Sequence, residues 1–177
     1  EIIKTKEVWT MKVYDKINLT MLCDFYELTM AYGYFNNGYK DRITYFDVFY
    51  RRCPDEGGFA IAAGLEQIIQ YIQELHFDPE DIAYLRSRNM FSEEFLAYLA
   101  DFKFECNVWA MPEGTPVFPK EPMVVIEGPM IQAQLVETTL LIMINHQTLI
   151  ATKANRIVRS AMGRPVQEFG ARRAQGV

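Results

Sequence analysis

Gly128-Pro129-Met130-Ile131-Gln132-Ala133-Gln134-Leu135-Val136-Glu137 opens a run that continues without proline or glycine to Ala161 and is closed by Gly163-Arg164-Pro165. This stretch decides the fold class. An interval that long without a breaker predicts one helix from Ile131 to about Ala161. Its apolar positions include Leu135, Leu140, Ile144, Leu149 and Ile157, spread over most of the circumference. A helix apolar nearly all round is expected to be packed on several sides. After it, Val166-Gln167-Glu168-Phe169 reads as a short strand ending at Gly170. A helix feeding a strand, behind a strand-rich first half, agrees with an α/β protein. One helix and one strand make no sheet with its own core, so residues 130–177 read as the start of a domain cut off in its middle.

Upstream, the punctuation is regular. Asp24 to Asn37 predicts a helix, with Asp24 as N-cap, Glu27 completing a capping box and Asn36-Asn37-Gly38 as the stop. Arg42 to Arg51 alternates through Ile43, Tyr45, Asp47 and Phe49, the pattern of a strand. A polar loop, Arg51-Arg52-Cys53-Pro54-Asp55-Glu56-Gly57-Gly58, leads to a second strand over Gly58–Gly64 and a helix over Leu65–Leu75. Pro79 opens a further helix and Ser92 caps another. Lys103–Met111 and Met123–Glu127 read as strands, separated by the Pro112-Glu113-Gly114-Thr115-Pro116 turn, and Gly128-Pro129 ends the strand-rich half. The organisation expected is an N-terminal extension over 1–15, an α/β domain over 16–129 and the beginning of a second domain over 130–177, with Met11 a candidate true start.

Half of the 177 residues are hydrophobic and 23% are charged, enough apolar material for a packed core. The net charge of -5 argues against a nucleic-acid partner, which would need a basic excess. No apolar run reaches the length of a membrane span, and the N-terminus has no apolar core of a signal peptide. Cys23, Cys53 and Cys106 form no CxxC pair, and His76 and His146 stand alone, so neither a disulfide framework nor a metal centre is expected. A reducing, cytoplasmic setting follows.

Few side chains invite chemistry. At the end of the Val166–Phe169 strand, Phe169 offers a stacking face, and Arg172 and Arg173 could hold a carboxylate or phosphate with paired donors. The same residues fit a buried core phenylalanine with solvated arginines. Tyr26 has a ring to stack, but also suits an amphipathic core or interface. Arg51 and Arg52 stand at a strand end before a glycine-containing loop, where a polyphosphate or plain solvent would suit them. Lys153, Arg156 and Arg159 complement the helix macrodipole at the end of the long helix. His146 reads as a hydrogen-bonded core histidine. Nothing resembles a Ser-His-Asp system or a P-loop.

Six segments together are more specific. Asp24-Phe-Tyr-Glu-Leu-Thr-Met30, Phe49-Tyr-Arg-Arg-Cys-Pro54, Phe59-Ala-Ile-Ala-Ala-Gly64, Met111-Pro-Glu-Gly114, Leu149-Ile-Ala-Thr-Lys-Ala154 and Glu168-Phe-Gly-Ala-Arg-Arg-Ala-Gln-Gly176 occur in the order and spacing of nicotinate phosphoribosyltransferases. From about Lys16 to Val177 the chain resembles the N-terminal part of that family. The resemblance implies a type II phosphoribosyltransferase fold, in which an α/β sandwich precedes an irregular α/β barrel, here incomplete. It implies transfer of the phosphoribosyl group of PRPP to nicotinic acid, giving nicotinate mononucleotide and pyrophosphate in NAD salvage, with coupled hydrolysis of ATP and its Mg. By position, Phe169 would stack on the pyridine ring and Arg172 would lie near the carboxylate or the phosphoribosyl phosphates. Tyr26 would cover the other ring face from the partner subunit of a homodimer, and Arg51 or Arg52 would contact PRPP phosphates. The family's phosphorylatable histidine lies beyond the position matching Val177, so no catalytic residue is expected in this chain, which should be inactive and poorly soluble alone. Competing expectations are a nicotinamide or quinolinate phosphoribosyltransferase relative, a non-catalytic product keeping only the dimer surface around Tyr26, or a partial reading frame.

Overall fold

A computed structural model describes residues 17–53 and 56–174. The expected extension over 1–15, with Met11, and parts of two quoted segments (Pro54, Asp55, Gln175 and Gly176) lie outside them. The architecture is α/β, as expected. Helix α1 spans Phe25–Asn36 with Asp24 at its N-cap and Asn37 at its C-cap. Strand β1 (Ile43–Val48) is followed by the two-residue strand β2 (Ala60–Ile61) and by α2 (Leu65–Glu74). Helices α3 (Pro79–Ser87) and α4 (Glu93–Ala100) start where their signals stand. Asp78 and Asp81 form a reciprocal capping box, and Ser92 Oγ accepts from Phe95 N at 3.3 Å.

The strands β3 (Asn107–Ala110), β4 (Pro116–Val117) and β5 (Val124–Pro129) complete two antiparallel sheets. One has the order β1-β5-β3 and the other pairs β2 with β4. The central strand β5 buries Val124, Ile126 and Gly128, and Phe46 and Val108 stand opposite Ile126 on either side. Gly128 and Pro129 therefore do not end the strand before them; β5 runs through both.

Cys106 crosses Gly128 so closely that a β-carbon at Gly128 would lie 2.9 Å from the Cys106 backbone Cα, and closer still to its side chain. Gly128 lies in the central strand β5, and Cys106 directly precedes β3, which is paired to it, so relieving the contact would shift the start of that pairing. Gly128→Ala is expected to destabilise the protein by about 1–3 kcal/mol. A urea titration with an unchanged midpoint would refute it.

The core joins the sheets to the helices. Phe95, Leu96 and Leu99 of α4 are fully buried, and Phe95 stands within 5.1–5.5 Å, ring centre to ring centre, of Tyr32, Phe35 and Phe91. This aromatic cluster locks α1 to α4.

The long helix expected from Ile131 to Ala161 is two helices, α5 (Met130–Gln134) and α6 (Glu137–Ser160). α5 packs on α1, β1 and β5, and all of Ile131, Gln132, Ala133 and Gln134 are buried. α6 packs on β2 and α2. No breaker residue separates them. The restart at Glu137 is held from outside, by hydrogen bonds from the start of α1 described below, and those bonds are invisible to local pattern. Nor is α6 buried all round. Leu140, Ile144, Thr148 and Thr152, four residues apart, form its buried stripe, whereas Leu141, Ile142, Leu149, Ile150, Ile157 and Val158 are exposed. The segment after β1 borders part of that second face, with Tyr50 Oη donating to Asn145 O at 3.2 Å.

Two threonines of the buried stripe stitch α6 to the sheet. Thr152 Oγ1 accepts from Ile61 N at 2.8 Å, and Thr148 Oγ1 accepts from Ala63 N and bonds Ala63 O, both at 3.2 Å. The short strand β2 thus satisfies on a helix side chain a donor that a longer ladder would have paired. Glu113, in the turn before β4, accepts from Gly64 N and Leu65 N at 2.7 Å each and so caps α2.

The expected strand over Val166–Phe169 is absent. Residues 164–170 run without regular structure into a 3-10 helix, Ala171–Arg173. A strand needs a neighbour for its N–H and C=O groups, and none is present for this segment among the described residues.

Candidate functional site

Tyr26 lies in the first turn of α1. Its neighbour Glu27 was expected to close a capping box with Asp24, but Asp24 makes no side-chain cap bond. Glu27 points inward, with no exposed surface. Its Oε1 accepts from Thr138 N at 3.1 Å and from Thr138 Oγ1 at 2.6 Å, in the first turn of α6. Burial pushes this carboxyl up to about 7, with the nearby Glu137 and Asp24 charges adding to the rise and the Thr138 bonds opposing it. Tyr26 itself is 46% exposed. Desolvation of the phenol, followed by the Glu137 carboxylate beside it, raises it to about 12, so at neutral pH it is an uncharged hydrogen-bond donor with an accessible ring.

Arg51 and Arg52 follow β1 and are exposed. They border a cavity of about 640 Å³ whose other walls include Tyr50, Gly58, Pro119 and Leu149. Arg156 reaches the same loop from α6: its guanidinium lies against Gly57 and donates to Phe59 O at 3.2 Å. Two arginines and the Glu56 carboxylate thus line the cavity, with a third arginine, Arg156, against Gly57 of the same loop, a cationic excess that can attract an anion. Along α6, Leu149 at this cavity is twelve residues from Glu137 beside Tyr26, a separation of roughly 18 Å at the helical rise. Arg51 also lines a second cavity with Leu141, Ile142 and Asn145, so the arginine pair flanks the middle of α6 while Tyr26 lies beside its N-terminal end.

Phe169 is 80% exposed and Arg172 and Arg173 are exposed in the 3-10 helix. Among the described residues, neither Phe169 nor Arg172 has a ring contact or ion pair with Tyr26, Arg51 or Arg52. The alternative of a buried core phenylalanine at 169 does not hold, and the ring is free to meet a ligand or another surface. His146, expected in the core, is exposed, because it lies off the stripe that α6 turns toward β2. Neither the burial of the Glu27 carboxylate nor the capping of α2 by Glu113 has a local sequence signal, since both depend on partners distant in the chain. A signal for Thr148 and Thr152 was present, since two threonines four apart in an otherwise apolar helix share one face.

Among the described residues no group of three or more His, Cys, Asp or Glu side chains is placed to hold a metal ion, so no residue is assigned to Mg. No helix among them is long and apolar enough to cross a membrane. What the surface offers is an accessible aromatic face at the N-terminal end of α6, a cationic loop beside its middle, and a second exposed aromatic at Phe169. An exposed aromatic face can stack on a flat ring and a cationic loop can hold an anion.

The nicotinate phosphoribosyltransferase (NAPRTase) N-terminal domain matches residues 21–145. Over 156 residues the chain is 44% identical to a nicotinate phosphoribosyltransferase of Mycobacterium tuberculosis, a match covering 88% of this chain and 34% of that protein. The crystal structure of human nicotinic acid phosphoribosyltransferase superposes with a TM-score of 0.78 at 36% identity, over 86% of this chain and 31% of that one. Nicotinate-nucleotide pyrophosphorylase from Pyrococcus furiosus superposes with a TM-score of 0.67 at 26% identity, over 92% and 34% of the two chains. The chain thus spans about a third of the length of these relatives. With a family domain matched across most of its length and the same fold in a solved structure, the chain belongs to the nicotinate phosphoribosyltransferase family.

Proposed function

We propose that these 177 residues serve as the N-terminal part of an enzyme that joins nicotinic acid to the phosphoribosyl group of PRPP, releasing pyrophosphate. The observation that carries this reading is the family match over residues 21–145. In this chemistry the pyridine nitrogen forms a bond to the anomeric carbon as the bond to pyrophosphate breaks. The sugar then passes through an oxocarbenium-like state, and catalysis rests on orienting the ring and holding the anions.

The chain's residues divide accordingly. Arg51 and Arg52, with Arg156 beside them, hold PRPP phosphates at the glycine-containing loop. Phe169 stacks on the pyridine ring, and Arg172 meets its carboxylate or the phosphoribosyl phosphates. Tyr26, beside the N-terminal end of α6, covers the ring of a site in the second copy of a homodimer. Residues 16–129 form the sandwich domain and residues 130–177 lead into the barrel. ATP and its Mg act through residues outside those described.

By this assignment the 177 residues alone form no nicotinate mononucleotide from nicotinic acid, PRPP and ATP, and measurable turnover in a chromatographic assay would overturn that. Joined to the matching remainder of the Mycobacterium tuberculosis relative, the chain is expected to convert nicotinic acid in preference to nicotinamide or quinolinic acid. Preference for either of those pyridines would sink the substrate assignment.

A further inference from the structure

Helix α6 cannot cap its own N-terminus. Its N-cap residue, Val136, has no side-chain acceptor, and the first backbone N–H groups of any helix lack intrahelical partners. The missing acceptor comes from α1, through the Glu27 carboxylate on Thr138 N and Oγ1. Two more bonds tie the same places together. Thr138 Oγ1 accepts from Asp24 N at 3.2 Å, and Thr139 Oγ1 donates to Leu22 O at 2.7 Å. Leu22, Asp24 and Glu27 are thus all fastened to the first turn of α6. Tyr26 sits inside that fastened interval, and its hydroxyl lies beside Glu137, the residue before Thr138.

The cost of this arrangement is informative. Glu27 has no exposed surface, and its second oxygen, Oε2, has no hydrogen-bond partner among the described residues. A carboxylate is an expensive way to cap one helix. Its reach, however, spans the gap from α1 to α6 and leaves the adjacent ring turned outward.

We propose that Glu27 is a positioning residue for Tyr26: by bonding Thr138 it sets the direction in which the Tyr26 ring is presented to the pyridine ring of nicotinic acid. The proposal rests on the reading of Tyr26 given above. Only the Oε1 acceptor is needed for this task, so an uncharged isostere suffices and a truncated side chain does not.

The test places a fluorinated tyrosine at position 26 and follows its fluorine NMR resonance in the 177-residue chain. Glu27→Ala and Thr138→Val are expected to shift or broaden the resonance, whereas Glu27→Gln leaves it in place. The proposal is overturned if Glu27→Ala keeps the parent resonance, or if Glu27→Gln moves it as far as Glu27→Ala does. Should Glu27→Ala fail to fold, Thr138→Val decides, because it removes one hydroxyl and leaves the buried carboxyl. In the enzyme completed with the relative's remainder, Glu27→Ala raises KM for nicotinic acid roughly tenfold with kcat little changed, the mark of a lost ring contact in binding. If Tyr26→Ala leaves that KM unchanged, the pyridine role of Tyr26 fails, and the fluorine signal still decides whether Glu27 positions the ring.

Discussion

Phe95→Ala is expected to lower the free energy of unfolding by about 3–5 kcal/mol, the range for removing a fully buried aromatic side chain. Phe95 has no exposed surface and stands at the centre of the aromatic cluster. Its ring centre is 5.1 Å from Tyr32, 5.4 Å from Phe35, 5.5 Å from Phe91 and 6.3 Å from Tyr98. Truncation removes the transfer free energy of the ring and leaves a cavity that these four rings line. They belong to α1, to α4 and to the loop between α3 and α4, so they cannot close the gap without shifting a helix. Urea unfolding should show a lower midpoint with the same slope, the sign of lost stability rather than a changed unfolded state. Tyr84→Ala is the control: this tyrosine is exposed, and its removal should change stability by no more than about 0.5 kcal/mol. A Phe95→Ala effect below about 1 kcal/mol would mean that the cluster is not the joint between α1 and α4.

The second large effect is a pH dependence carried by Glu27. Its ordinary value of 4.5 is raised to about 7 in the folded chain, chiefly by desolvation. Between those two values the folded protein binds a proton that the unfolded chain releases. Stability therefore falls as pH rises through this window and levels off above it. A displacement of this size corresponds to at most roughly 3 kcal/mol. Glu27→Gln keeps the Oε1 acceptor but cannot ionise, so its stability should be flat across the same window as far as this group is concerned. The difference between the parent and Glu27→Gln isolates the effect from the other titrating groups, such as His76 and Asp78, which both proteins share. Chemical unfolding of the two proteins from pH 4.5 to pH 8 measures it. Parallel curves, or a parent protein that gains stability relative to Glu27→Gln as pH rises, would contradict the assignment.

These two residues also show how much was legible beforehand. Phe95 follows Ser92 at the start of a helix whose cap is local, and the sequence placed both correctly. For Glu27 the local pattern predicts a capping box with Asp24, which does not form. Glu27 bonds instead to Thr138, more than a hundred positions away. Without that bond, nothing in residues 131–161 announces a break, and one helix was expected where there are two. For the candidate site, Tyr26, Arg51 and Arg52 were named from the sequence. That Arg156 reaches the arginine loop, and that Tyr26 lies beside the start of α6, was not available from spacing.

The amino-acid sequence by itself determined the helices that begin and end on their own caps, the alternation of β1, the α/β class and the family, since all of these are written in neighbouring residues or in the order of short segments. Only the tertiary structure decided where α6 begins, which of its faces is buried, that β5 continues through Gly128 and Pro129, and that Val166–Phe169 is no strand. The physical reason is common to all four. A strand exists only where another strand meets its backbone, and a helix face is buried only where something packs on it. A buried carboxylate, likewise, is tolerated only where distant donors reach it.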